Sequence, residues 1–91
     1  MFALPSHVRP ETAEFKKSSS YHLGLAQTLR QRLAQVRESG PRDAVELHKK
    51  RGKLLVRERL ERLLDPETPF LELSPLAAWA QHENQVPSAG I

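Results

Sequence analysis

Apolar positions along the chain gather into two stripes at helical spacing, set between glycine and proline breaks. With about 100° per residue, Leu25, Ala26, Leu29, Leu33 and Val36 all fall within roughly 60° of His22. The spacing predicts a helix from Ser20 to about Glu38, stopped by Ser39-Gly40-Pro41. In the second stripe Val56, Leu60, Leu63 and Leu64 share an arc of roughly 100°, and Arg57, Glu58, Arg59, Glu61 and Arg62 cover the other side. Gly52 can take positive φ and end the preceding helix, while Asp65-Pro66 ends this one, because proline lacks an amide donor and restricts the residue before it.

Between the stripes, Pro41 suits the first turn of a short third helix, with Asp43 and Glu46 near its positive end and Lys49, Lys50 and Arg51 near its negative end. Beyond Pro66, Phe70, Leu71 and Leu73 with Glu72 between them read as a short strand. Pro75 to Ala80 reads as a loop or one helical turn, and Val86 to Ile91 as an extended approach to a second strand that stops mid-element. The expected fold is mainly α with one or two short β-strands.

Residues 1–19 carry Pro5, Pro10 and a Lys16-Lys17-Ser18-Ser19 stretch with few apolar anchors, and read as a mobile arm able to clasp a neighbour. Residues 20–91 form the structured segment. A chain of 91 residues with 38% hydrophobic and 5% aromatic content must build any core from leucines. Such a core is marginal, so Val56, Leu60, Leu63 and Leu64 are expected to press on protein outside these 91 residues.

Absent cysteine excludes disulfides, thiol catalysis and cysteine-ligated zinc, and the histidines at 7, 22, 48 and 82 have no metal-ligand spacing. No secretory signal or membrane-length apolar run is present, which makes the cytoplasm the expected setting. Charge is uneven: all fourteen Lys and Arg and seven acids lie at or before Arg62, and the other four acids follow it, giving +7 and then −4.

The stretches Arg51-Gly52-Lys53-Leu54-Leu55, Arg57-Glu58-Arg59-Leu60, Leu63-Leu64-Asp65-Pro66, Pro69-Phe70-Leu71-Glu72-Leu73-Ser74 and Val86-Pro87-Ser88-Ala89-Gly90-Ile91 resemble the amino-terminal part of the carboxyltransferase (β) subunit of biotin-dependent acyl-CoA carboxylases. The wording is closest to the methylcrotonyl-CoA and geranyl-CoA carboxylase branch, strongly from His48 onward and more weakly back to Tyr21. The resemblance implies a helical segment preceding a crotonase-like α/β core that this chain lacks. It also implies transfer of a carboxyl group from carboxybiotin, carried on a biotin carboxylase/biotin carrier (α) subunit, to an acyl-CoA such as 3-methylcrotonyl-CoA, within a homo-oligomer. Backbone oxyanion holes for that chemistry belong to the missing core. The segment itself is therefore expected to bind no cofactor, to hold no catalytic residue and to be inactive alone.

The resemblance also suggests a ligand for the basic cluster Lys49, Lys50, Arg51 and Lys53, with Arg51 and Lys53 as candidate contacts for the phosphates of CoA. The plainer reading is a solvated face held by Arg57-Glu61 and Glu58-Arg62 pairs at i,i+4. Nucleic acid is disfavoured, because glutamates alternate with the cations and no aromatic residue lies between Tyr21 and Phe70. His22 reads as a packed residue, His48 as an inert surface histidine, and Phe70 and Trp79 as core or interface anchors. Serines 18, 19, 20 and 74 lack any nucleophile motif. The competing class is a free-standing helical protein-interaction module without enzyme activity.

Overall fold

A computed structural model describes residues 2–87. Helices α1 (Ala13–Arg37), α2 (Arg42–Lys50) and α3 (Val56–Leu63) follow one another, and a 3-10 turn lies at His82–Asn84. Helix α1 begins seven residues before the expected Ser20. The cause is Thr12, whose side-chain oxygen accepts the Phe15 amide at 3.2 Å and satisfies one of the orphan donors at the helix start. That cap, with Glu14 in the first turn, lets Lys16 to Ser20 join the helix without apolar anchors.

The ends of α1 and α2 follow the expected breaks. Ser39 and Gly40 take φ of 68° and 113°, and Pro41 caps α2 from just outside it. After α2 the Gly52 amide donates to the Lys49 carbonyl at 2.9 Å and the Lys53 amide to the His48 carbonyl at 3.3 Å, which together form a Schellman motif. Its left-handed position is Gly52, at φ 73°. Helix α3 stops at Leu63, and Leu64 is already extended ahead of Asp65-Pro66.

Two expectations need correction. Residues 70–73 form no strand, nor does any other described residue. A strand needs a partner ladder, and none lies beside Phe70 to Leu73 among the described residues; Leu71 stays 85% exposed. Val86 and Pro87 lie in bends, and the rest of the expected second strand falls outside the described residues. His22, expected to be packed, is exposed and meets only the edge of the Tyr21 ring, at 5.4 Å between centroids. That half of α1 is open among the described residues, with Leu25 and Leu29 each 49% exposed.

Packing is correspondingly thin. Val36, 2% exposed, is the one buried hydrophobic residue among those described. The radius of gyration is 19.5 Å, against about 12 Å for a compact chain of this length. The accessible surface is 8472 Å², whereas a folded monomer of this mass exposes roughly 5,400 Å². About 3,100 Å² of surface that a self-contained domain would cover is therefore open, which is on the scale of obligate interfaces. Along the second stripe Leu60 and Leu64 are half-buried, but Val56 and Leu63 remain 67% and 79% exposed. The thin-core expectation holds.

Candidate functional site at the turn between α2 and α3

The turn that carries Arg51 and Lys53 is rigidly built. Besides the Schellman bonds, the His48 ring nitrogen Nε2 donates to the Leu54 carbonyl at 2.8 Å, which fixes the proton on that nitrogen because a carbonyl can only accept. The Glu58 carboxylate accepts the Leu55 amide at 2.7 Å, half of a capping box, and lies 3.9 Å from the Lys49 ammonium. The chain thus leaves α2, reverses and enters α3 with the Gly52, Lys53 and Leu55 amides hydrogen-bonded. Arg51 and Lys53 flank Gly52, both exposed, and among the described residues neither meets a carboxylate. Two unpaired cations on a fixed turn suit a phosphate-bearing group.

Charge pairing on α3 differs from the i,i+4 scheme. Arg57 grips Glu72 with two bonds, of 2.6 and 3.0 Å, rather than Glu61. Glu58 is engaged at the helix start rather than with Arg62. The i,i+4 pair that forms is Arg42 with Glu46 on α2, on an exposed face where it contributes little.

The Arg57–Glu72 fork ties the segment after α3 back onto the helices. Trp79 continues that attachment: the Arg32 guanidinium stands 5.4 Å from its ring centroid, so the expected anchor seats on α1 of its own chain. Between the end of α1, α3 and residues 64–70 lies an open cleft of about 730 Å³, with Leu55, Leu60, Leu64 and Phe70 as apolar lining. Its charged lining is mixed, with Glu58, Glu61, Asp65 and Glu67 beside Arg37 and Arg57. No trio of metal-ligating side chains converges among the described residues. None of the described helices is long and apolar enough to cross a membrane.

Two of these contacts escape pattern reading. Arg57 and Glu72 are 15 positions apart and share no element, so no periodicity links them. His48 acts through the carbonyl six residues on, a bond that exists only once Gly52 has reversed the chain.

No family model matches the sequence. Over 88 residues, 97% of this chain, it is 41% identical to the methylcrotonoyl-CoA carboxylase beta chain, mitochondrial, of Arabidopsis thaliana. It is 44% identical over 82 residues, 90% of this chain, to the biotin-dependent 3-methylcrotonyl-coenzyme A carboxylase beta1 subunit of Mycobacterium tuberculosis. The chain is a relative of methylcrotonoyl-CoA carboxylase beta chains. The probable beta chain of Drosophila melanogaster agrees, at 41% identity over 87 residues. This chain spans only 15%, 16% and 15% of those three beta chains, in that order. A match of 88 residues out of 91 takes in all of α1, α2, α3 and the cap between the last two. Most of the length of those beta chains has no counterpart in this chain.

Proposed function

We propose that this chain is the amino-terminal part of a carboxyltransferase subunit of a biotin-dependent acyl-CoA carboxylase, one that moves a carboxyl group from carboxybiotin to an acyl-CoA, with 3-methylcrotonyl-CoA as the acceptor. The observation that carries this reading is identity of 41 to 44% with named beta chains across nine-tenths of the chain or more. In it, α1 to α3 pack on the remainder of the subunit and do no chemistry. Arg51 and Lys53 offer their cations to the phosphates of CoA, supported by their exposure and lack of carboxylate partners. The crotonase-like core, the α subunit that carries biotin and the homo-oligomeric state belong to this same proposal. So does a cytoplasmic setting, for which the mycobacterial relative is the closer guide, since the plant and fly relatives are named mitochondrial.

Complementation tests it. A beta chain stripped of the segment that aligns with this one is co-expressed with its α subunit, with and without this chain. Carboxylation of 3-methylcrotonyl-CoA is expected only when this chain is supplied, and this chain alone gives none. Activity of the stripped beta chain without it, or of this chain by itself, would refute the reading, as would a soluble reassembled complex that stays inactive. In an active complex, Arg51→Glu with Lys53→Glu should raise KM for the acyl-CoA about tenfold with kcat unchanged; an unchanged KM removes the phosphate contacts.

A further inference from the structure

Arg51 and Lys53 follow directly on the carbonyl end of α2, which carries partial negative charge and by itself repels a phosphate. The turn offsets this by giving nearby carbonyls a donor. Those of Leu47, Lys49 and His48 accept the amides of Arg51, Gly52 and Lys53 at 3.1, 2.9 and 3.3 Å, in that order. The carbonyl of Leu54, next after Lys53, is covered by a side chain instead: the His48 ring, at 2.8 Å. We infer that His48 is a positioning residue for the phosphates of the acyl-CoA, holding the Arg51-Gly52-Lys53 turn in the form in which both cations are free and the Leu54 carbonyl is occupied. This role rests on the acyl-CoA reading given above.

His48 acts on the turn twice. Its carbonyl takes the Lys53 amide and its Nε2 donates to Leu54, so one residue of α2 grips the dipeptide 53–54 at both ends. Gly52, at φ 73°, is the pivot before it. His48 and Leu54 are half-buried, which shields their bond from competing water, whereas Arg51 and Lys53 are exposed. Lys49 is drawn to the Glu58 carboxylate, 3.9 Å away, and is not left free as those two are.

Without the ring, two things change. The turn loses its tie beyond Lys53, so the two cations no longer keep a fixed spacing and the ligand must order them. The Leu54 carbonyl is also left as an open acceptor beside Lys53, where it competes with phosphate for the ammonium. In the acyl-CoA reading this segment does no chemistry, so the loss falls on KM and not on kcat.

The reassembled carboxylase provides the test, with 3-methylcrotonyl-CoA set against 3-methylcrotonyl-pantetheine, the same thioester without phosphates. His48→Leu, which has no donor, should raise KM for the CoA thioester about fivefold with kcat unchanged, and leave kcat/KM for the pantetheine thioester as it was. His48→Gln, whose side-chain amide offers a donor in place of Nε2, should bring KM back to within about twofold of wild type. An unchanged KM in His48→Leu, a loss shared equally by both thioesters, or no rescue by glutamine would overturn the role. So would complexes that reassemble only with histidine or glutamine at position 48, since the bond would then serve folding alone. Failure of the underlying reading looks different: Arg51→Glu with Lys53→Glu then leaves KM for the CoA thioester unchanged, and the His48 role falls with it. If that double variant raises KM and His48→Leu does not, the phosphate contacts stand and the His48 role alone is refuted.

Discussion

Breaking the fork between Arg57 and Glu72 should release the segment that follows α3. The two bonds measure 2.6 and 3.0 Å, and the side chains are 27% and 31% exposed. That places the pair between exposed ion pairs, worth below about 1 kcal/mol, and buried ones, whose disruption costs about 3 to 5 kcal/mol. A coupling of about 1.5 kcal/mol follows, or roughly a tenfold change in the ratio of docked to released segment. The remaining polar clamp seen between the segment and α1 is Arg32 on Trp79, worth about 0.5 to 1 kcal/mol at a half-exposed site. Trp79 is the sole tryptophan, so its emission reports docking without added labels. Arg57→Met and Glu72→Gln should each shift that emission to the red and lower its midpoint in urea. The double variant should look no worse than the more affected single one. Strictly additive effects, with coupling below about 0.3 kcal/mol, would show that the fork does not hold the segment. Raising salt should weaken the wild-type docking only modestly, since partly buried pairs are poorly screened.

Further outcomes follow from the same structure. Gly52→Ala should cost about 1 kcal/mol, read as faster amide exchange around Lys53; no atom comes within 4 Å of an added Cβ, so the cost is purely that of positive φ, and Gly52→Asn should cost less. Thr12→Ala removes the acceptor for the Phe15 amide and should cost about 1 kcal/mol, seen as several-fold faster exchange at Phe15 and lower helicity. Leu63→Ser should change the helicity of this chain by little, below about 0.5 kcal/mol, because the side chain is already 79% exposed. In a reassembled carboxylase the same substitution should cost about 2 kcal/mol or more; a full cost in the isolated chain would refute the docking argument.

What the sequence reveals in advance divides along physical lines. Gly52, Asp65-Pro66 and Ser39-Gly40-Pro41 act through backbone freedom and a missing donor, which are properties of single residues, and each break sits where those properties put it. The start of α1 escapes the apolar pattern, because few apolar residues precede Tyr21, although Thr12 already offers the hydrogen bond that a helix start lacks. The expected strand at Phe70 to Leu73 fails for the opposite reason. Alternation reports a surface fit for a sheet, yet a sheet also needs a neighbour, and neighbours are a property of the whole protein. Arg51 and Lys53 stand out as candidates from charge, while the His48 bond that helps hold their turn depends on chain reversal and leaves no trace in spacing; the Glu58 bond, three residues on from Leu55, is local.

The two stripes carry the same lesson about energy. Val36 is buried near the end of α1, whereas Val56 and Leu63 stay largely bare. Burying Val56 and Leu63 fully would add about 1.5 to 3 kcal/mol for each side chain. That sum is a large part of the roughly 5 to 15 kcal/mol by which a whole domain is held folded. A sequence that spaces such residues for one face, and then covers half of that face, leaves that much stabilisation unrealised within the described residues. The apolar period on α3 thus marks a helix face without closing a core over it, which is why both the helix and the thin core are legible in the sequence.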